Sequence, residues 1–452
     1  MILEALAKRA EENDPIRVGI IGAGKFGAAL VTQISQMKGM VVSVVADLEL
    51  DHALRSFLSN GFIQSDLLDV DSEDGLENAV RGNQPAITQD GLLACRSPSI
   101  EVVVDTTGSP EAGAIFGVEA LTHRKHLVMV NVETDVCIGP YLRRLADEQG
   151  VVYTQVDGDQ PGCTMNLVNW ARTLGFEIVA AGRGTIYYEG DFEGIPDSVP
   201  ERFGFTEEVI ERRHINLNMF NSFRDGTKAQ TEMVALANAA GLVPDIRGMH
   251  EPRVNLVDIP QKFSLESEGG MLSQQGVVEL ANSVAEDGKT LLPDPLLMGV
   301  FAVIRTEHPF IAEDLGMYYL HEGAGGKNFL LQRPYHLVAV EAPISIAQAV
   351  LFGTATGSTL PSPTANLITV AKRDLKEGEI LDGSGGYTVN GICEKAEEVH
   401  RENLIPLAFA KNVKLNGNAR KGNPITWDMV DEIQESYLLK LWRKQNTLLW
   451  DQ

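Results

Sequence analysis

VGIIGAGKFG, residues 18–27, sets Gly22, Gly24 and Gly27 in the pattern G-x-G-x-x-G, directly behind an apolar run and at the opening of a helix-length segment. In such a turn Gly22 permits the tight bend, Gly24 lets backbone approach a pyrophosphate, and Gly27 lets helix and strand pack closely. The N–H groups of the first helical turn, which holds Lys25 and Phe26, then point at the anion. Asp47 follows about twenty residues beyond Gly27. A carboxylate there accepts a hydrogen bond from a ribose 2′-hydroxyl. The pattern predicts a nicotinamide dinucleotide, NAD(H) or NADP(H). Asp47 repels a 2′-phosphate, and Leu48 and Glu49 follow it in place of an arginine. Those residues favour NAD(H), with Arg55 and His52 as groups that could reach round to a phosphate.

Working outward, apolar runs recur at 16–21, 41–46, 100–105, 126–130 and 151–156, separated by helix-length segments. Alternation of this kind predicts βαβ units and a parallel sheet, and the near-continuous Val and Ile content suits strands buried on both faces. Thr106, Thr107 and Gly108, and Asn131 and Glu133, lie at later strand ends, where they are candidate contacts to the nicotinamide half or N-caps of the following helices. An acidic insertion interrupts the pattern. Nine carboxylates face one basic residue, Arg55, between Asp47 and Glu77, which reads as a solvated surface or as a docking face for a partner.

The 452 residues suffice for about three domains. A net charge of −24 makes nucleic acid and anionic membrane poor partners. Cys95, Cys137, Cys163 and Cys393 lie far apart with no C-x-x-C pair, so the spacing predicts neither a disulfide framework nor a zinc site, and a reducing cytoplasm fits. The start, MILEALAKRAEENDP, reads as a short amphipathic helix and not as a secretory signal. TKAQTEMVALANAA (227–240) has apolar residues at helical spacing, Thr227 as a candidate N-cap and Gly241 as its stop. LPSPTANL (360–367) reads as a linker. Short strands broken by glycine follow over 368–430, and 427–450 reads as one amphipathic helix starting near Thr426, docked by Trp442 and Trp450.

The N-terminal half resembles the dinucleotide-binding domain of homoserine dehydrogenases. HLVMVNVETD (126–135), VDGDQPG (156–162) and QRPYHLVAVEAPIS (332–345) resemble a distinct branch of predicted homoserine dehydrogenases, which includes the 1-deoxy-D-xylulose 5-phosphate reductoisomerase-like enzymes of isoprenoid synthesis. AKRDLKEGEILDG (371–383) through KGNPITWDMV (421–430) resembles a SAF domain, a small β-clip module. The resemblance implies an α/β fold in three parts. These are a Rossmann domain over 14–156, an α+β catalytic and dimerisation domain over 157–362, and a SAF-like β-clip domain with a C-terminal helix over 363–452. It also implies an NAD(P)H-dependent reductoisomerase, NADPH as cofactor, a phosphorylated substrate and a homodimer through the middle domain. Where homoserine dehydrogenases carry an Asn-Lys pair after the fifth strand, this chain has Asn131, Val132 and Glu133, which turns the expectation toward the reductoisomerase-like branch.

Reduction of a carbonyl needs a proton donor, and a phosphate needs cations and N–H donors. Two clusters offer them. Lys228 and Glu232 stand at i and i+4 on the predicted helix, as a site or as a surface ion pair. His321, Lys327 and Arg333, with His336, surround the glycine-rich turn GAGG, which can wrap an anion or only turn the chain. A divalent cation, Mg²⁺ or Mn²⁺, suits a reductoisomerase, with Asp159, Glu189 and Asp191 as carboxylates to test. The rival readings are a dehydrogenase of a polyol or hydroxy acid without isomerisation, and a non-catalytic NAD(P)-binding sensor.

Overall fold

Seven parallel strands form one sheet: β1 (Ile16–Ile21), β2 (Met40–Ala46), β3 (Leu68–Asp69), β4 (Ala86–Thr88), β5 (Val102–Asp105), β6 (His126–Met129) and β7 (Tyr153–Thr154), in the order β3-β4-β2-β1-β5-β6-β7. The structure is a computed structural model that describes residues 1–213 and 215–450; the last two residues of the expected C-terminal module, 451 and 452, lie outside it. Val18, Ile20, Val44, Val45 and Val102 to Val104 are fully buried, as an unbroken apolar run between two helical layers requires. The five strands predicted from apolar runs are β1, β2, β5, β6 and β7. β3 and β4 were not expected, being too short to show a period. The acidic stretch is therefore part of the alternation and not an interruption of it. Its helix Leu50–Leu58 buries Ala53, Ser56 and Phe57, while Asp66, Asp69, Asp71, Glu73 and Asp74 face solvent.

The chain divides into two units, unlike the three consecutive parts expected. The first takes Met1–Gly162, Leu337–Ser362 and the stretch from Ser436. Residues 337–362 belong here because the helix Ala342–Phe352 buries Ala342, Ile346 and Ala347 in the core of the parallel sheet. The Thr356 hydroxyl donates to Asp157 Oδ2 at 2.8 Å, and the Asp157 N–H donates to Ser345 Oγ at 2.7 Å. The last helix, Tyr437–Trp450, packs on the helices Pro110–Thr122 and Val132–Gln149. It starts at Tyr437, well beyond the start expected near Thr426. Residues 430 and 431 are held extended by the strand-like bonds Asn416 N–H to Met429 O and Asp431 N–H to Lys414 O, with only a short 3₁₀ turn at Trp427–Met429 before them. Leu438, Leu439, Leu441 and Gln445 are its buried residues, while Trp442 and Trp450 are half-buried.

The second unit takes Cys163–His336 and Pro363–Glu435. Its sheet has the order β12-β11-β8-β10-β9: β8 (Glu177–Thr185), β9 (Val243–Pro244) and β10 (Val277–Asn282) run parallel, and β11 (Val300–Arg305) lies antiparallel between β8 and β12 (Asn328–Arg333). The helix Thr227–Ala240 ends at Gly241, with φ +67°, as its spacing predicts. It packs against β8 and β10 on one side and against β13 (Ala365–Ala371) and β15 (Val389–Lys395) on the other. Covered by two sheets, it buries every residue but Lys228. This is why the C-terminal module clusters with the middle segment. The module's other pair, β14 (Ile380–Asp382) with β16 (Lys411–Lys414), is antiparallel, as is β13 with β15. The predicted linker is fastened, not loose, since Asn238 Oδ1 accepts from Thr364 N at 2.8 Å and Ala365 N at 3.0 Å. Among the described residues no helix is long and apolar enough to cross a membrane.

One side chain repairs a helix in the first unit. Pro140 lies inside the helix Val132–Gln149, and Gln445 accepts from Tyr141 N at 2.9 Å and donates to Cys137 O at 3.1 Å. These are the two groups that a regular turn would join to each other. Gln445→Leu leaves both without that partner and should cost about 1–3 kcal/mol in denaturant unfolding, with faster hydrogen exchange at the Tyr141 amide.

Candidate functional site

The glycine loop is shaped by what it excludes. Gly22 has φ +99°, and a Cβ there would lie 2.9 Å from Thr106 Oγ1. A Cβ at Gly27 would lie 2.0 Å from the Gly22 carbonyl oxygen. A Cβ at Gly24 would meet nothing within 4 Å. Gly22 and Gly27 thus serve the close packing of strand and helix, while Gly24 faces open space. Gly24 is also the N-cap of the helix Lys25–Ser35, which has no side-chain cap and no acidic residue in its first turn. N–H groups at such a terminus attract an anion. Lys25 is exposed there, and Phe26 packs its ring on the sheet core.

Asp47, just past β2, closes the loop from the side. Its Oδ2 accepts from Ala23 N at 2.6 Å, its Oδ1 accepts from Glu49 N at 2.9 Å, and His52 Nδ1 stands 3.4 Å from Oδ1. The Thr106 hydroxyl donates to Gly22 O at 2.6 Å. Thr107 and Asn131 form a second knot. The Asn131 amide donates to Ser109 O at 2.8 Å and Thr107 Oγ1 at 3.1 Å, and Asn131 Oδ1 accepts from Thr134 N, capping the next helix. Gly108, with φ +65°, is exposed, and Glu133 is half-buried in the first turn of that helix. Beneath this knot burial pushes the Asp105 carboxyl up to about 6, against the hydrogen bonds from Thr107 and Asn131. The glycines, Asp47 and Thr106 therefore meet around one loop. The residues fit a dinucleotide: open space at Gly24, an uncapped helix terminus, and a carboxylate at the end of β2.

The second unit places the other candidates on three separate elements. Lys228 and Glu232 share the buried helix, but Glu232 is no surface residue: it is 3% exposed and its carboxylate pairs with the Arg183 guanidinium from β8. Thr227 is not the N-cap. Gly226 holds that position with φ +86°, and Asp225 Oδ1 accepts from Thr227 N at 3.0 Å. Asp225 Oδ2 in turn faces buried Lys372 Nζ at 2.7 Å. Lys327, in the connection from β11 to β12, forms a surface ion pair with Glu307 at 2.6 Å. His321 is half-buried in the same connection, and its carbonyl accepts from Leu330 N. At the end of β12 the Arg333 guanidinium lies 4.7 Å from the Tyr335 ring centroid and donates to Cys163 Sγ at 3.4 Å. His336 Nδ1 lies 3.1 Å from Met298 O.

The carboxylates considered for a metal do not suit one. Asp191 is held by Arg202 and Arg224, Glu189 is exposed, and Asp159 Oδ1 accepts from Gln160 N. Among the described residues no group of three or more His, Cys, Asp or Glu is placed to hold a metal ion. The four cysteines are free and buried.

Sequence reasoning missed a polar cluster of the second unit. The Thr185 hydroxyl donates to Glu251 Oε1 at 2.8 Å; His250 Nδ1 lies 2.6 Å from buried Glu279; and the Ser273 hydroxyl donates to Asp245 at 2.5 Å. Burial pushes the Glu251 carboxyl up to about 8, helped by the charge of Glu279 and opposed by the Thr185 hydrogen bond and Arg183. The hydrogen bond it makes to Glu279 raises His250 above its ordinary value. The signal that could have marked Arg183 is a charge amid the apolar and small residues 178–184. Glu251 carried no such mark, because its neighbours come from distant strands.

Residues 158–342 match the family model described as oxidoreductase DRL, catalytic domain. The segment contains Arg183, Glu232, Glu251, His321, Lys327 and Arg333. Residues 158–342 are thus similar to an oxidoreductase catalytic domain, in a chain that also has a Rossmann-like sheet. Among solved structures, a probable dehydrogenase from Thermotoga maritima is 10% identical over 75% of this chain and 90% of its own, with a TM-score of 0.39. An NAD binding oxidoreductase from Klebsiella pneumoniae is 16% identical over 39% and 44%, with 0.27. A scyllo-inositol dehydrogenase from Lactobacillus casei, with bound NAD(H) and scyllo-inositol, is 13% identical over 39% and 47%, with 0.26. At such TM-scores these likenesses say nothing of this chain's substrate. A sequence search of curated proteins finds no match.

The raised Glu251 carboxyl has a consequence for stability. The folded chain holds that proton more tightly than the unfolded chain does. Its contribution is therefore most favourable at and below the ordinary carboxylate range and is lost as pH rises to about 8. Glu251→Gln keeps an acceptor for Thr185 and removes the ionisation. The melting temperature of the wild type should fall more than that of Glu251→Gln between about pH 5 and about pH 8.

Proposed function

We propose that the chain is an NAD(P)(H)-dependent oxidoreductase acting on a small phosphorylated substrate. The finer reading is a reductoisomerase of the 1-deoxy-D-xylulose 5-phosphate type, assembled as a homodimer. The glycine loop carries the proposal: Gly22 and Gly27 are closed by backbone, and Gly24 alone is open at an uncapped helix terminus. A nicotinamide dinucleotide bound there supplies a hydride. Asp47 receives the ribose hydroxyls and, being anionic, favours NAD(H) over NADP(H). Lys228, Lys327 and Arg333 supply positive charge for a phosphate, and His321 is a candidate acid or base. Glu232 acts by holding Arg183. The family match over 158–342 supports the oxidoreductase class.

Gly24 separates binding from folding. Gly24→Ala should melt close to the wild type, since a Cβ there meets no atom within 4 Å, yet bind NADH and NADPH at least about tenfold more weakly, a loss of about 1.4 kcal/mol. Gly27→Ala should instead lower the melting temperature. The two are compared by thermal melting and by dinucleotide fluorescence titration.

The substrate is tested by NADPH and NADH oxidation with 1-deoxy-D-xylulose 5-phosphate, following the carbon skeleton by isotope label. Turnover with rearrangement is the expected result. Reduction without rearrangement would replace the reductoisomerase by a simple dehydrogenase. Dinucleotide binding without turnover would remove this substrate.

A further inference from the structure

Glu251 stands where two parallel strands of the second unit end side by side. Asn282 of β10 pairs with Thr185 of β8, and the Thr185 hydroxyl holds Glu251 Oε1 at 2.8 Å. Ligands of α/β sheets gather beyond the carboxyl ends of parallel strands. The backbone that delivers Glu251 is strained, with φ 67° at Met249 and 46° at Glu251, a region that residues with side chains seldom adopt. Such strain persists only where the surroundings enforce it, and it collects at working sites.

The neighbours of Glu251 are committed elsewhere. Arg183 pairs with Glu232, and Glu279 receives both the ring and the backbone N–H of His250. Tyr187 is buried, with its hydroxyl raised well above the ordinary range by burial and by Glu251. Glu232 faces the Arg183 guanidinium, and Glu279 the imidazole of His250. Glu251 is met by a neutral hydroxyl, by the like charge of Glu279 and, with opposite effect, by Arg183. It is half-buried, so its surroundings are dry without sealing it off.

We propose that Glu251 exchanges the proton with the substrate oxygen in the reaction catalysed by this segment, with Thr185 as its positioning residue. The inference rests on the oxidoreductase reading above. In the reducing direction the carbonyl carbon gains a hydride from the reduced dinucleotide, the π pair of the C=O bond moves to oxygen, and that oxygen takes the proton from Glu251 Oε2. A carboxylate remains, with Oε1 still accepting from Thr185, and solvent returns the proton. In the oxidising direction the carboxylate takes the hydroxyl proton as hydride leaves carbon. A carboxyl raised to about 8 keeps its proton at neutral pH, as the donor role requires.

The test uses the full chain as wild type, Glu251→Gln and Glu251→Asp. The wild-type minus Glu251→Gln infrared difference, followed against pH, should show a protonated carboxyl lost with a midpoint at about 8. With NADPH or NADH and 1-deoxy-D-xylulose 5-phosphate, Glu251→Gln should lower kcat about 10²–10⁴-fold and remove the alkaline limb of the pH profile. Dinucleotide Kd should be unchanged, and Glu251→Asp should restore part of kcat. Two results overturn the role of Glu251: a carboxyl that ionises in the ordinary range, or a Gln variant with wild-type kcat and an intact limb. A wild type that binds neither dinucleotide overturns the oxidoreductase reading and this proposal with it. A wild type that binds dinucleotide but leaves this substrate unchanged overturns only the substrate, and the infrared midpoint then decides for or against Glu251.

Discussion

At residue 27 there is room for a hydrogen atom and nothing larger, because the Gly22 carbonyl oxygen lies 2.0 Å from where a Cβ would sit. That contact draws the helix Lys25–Ser35 onto the end of β1. The rest of the first unit follows from it. Thr106 at the end of β5 bonds the Gly22 carbonyl, and Asp47 at the end of β2 bonds the Ala23 amide. Three neighbouring strands thus converge on one turn, β1 by leading into it and β2 and β5 each through a short hydrogen bond to its backbone. The loop is held rigid while Gly24 stays uncovered. Preorganised amides at a helix terminus are what an anion needs, since little ordering remains to be done when it binds.

The second unit is organised around buried charge. Arg183 with Glu232 and Lys372 with Asp225 are ion pairs out of reach of water. Desolvating two charges costs several kcal/mol per ion in real proteins, so such pairs add little net stability, yet losing one partner strands the other. Their value here is positional. Lys372 Nζ also bonds the Gly194 and Gly386 carbonyls, tying the start of the buried helix to the C-terminal module. Glu251 is the exception among these groups. It is half-buried without a dedicated cation, and the site chemistry follows from that imbalance.

The covering of the helix Thr227–Ala240 joins these themes. A helix covered by a single sheet keeps a polar face. This one carries Gln230, Thr231, Glu232 and Asn238 in its buried surface because a second sheet covers the far side. Those polar groups find partners on both sides: Gln230 on the Cys393 amide and the Gly248 carbonyl, Asn238 on residues 364 and 365, and Glu232 on Arg183.

The first unit was legible because its signals are local. The glycine spacing, the strand before it and Asp47 after it lie within thirty-odd residues, and unbroken Val and Ile runs announce strands buried on both faces. The helix ending at Gly241 was legible for the same reason. What the sequence by itself determined is therefore the parallel sheet, its glycine loop and the helix that stops at Gly241. Only the tertiary structure decided that Glu232 would face Arg183, that residues 337–362 and the last helix would return to the first unit, and that Glu251 would lie against Thr185. Those outcomes depend on which distant segments share one dry interior. There, a carboxylate's behaviour is set by neighbours dozens of residues away, and no periodicity along the chain records them.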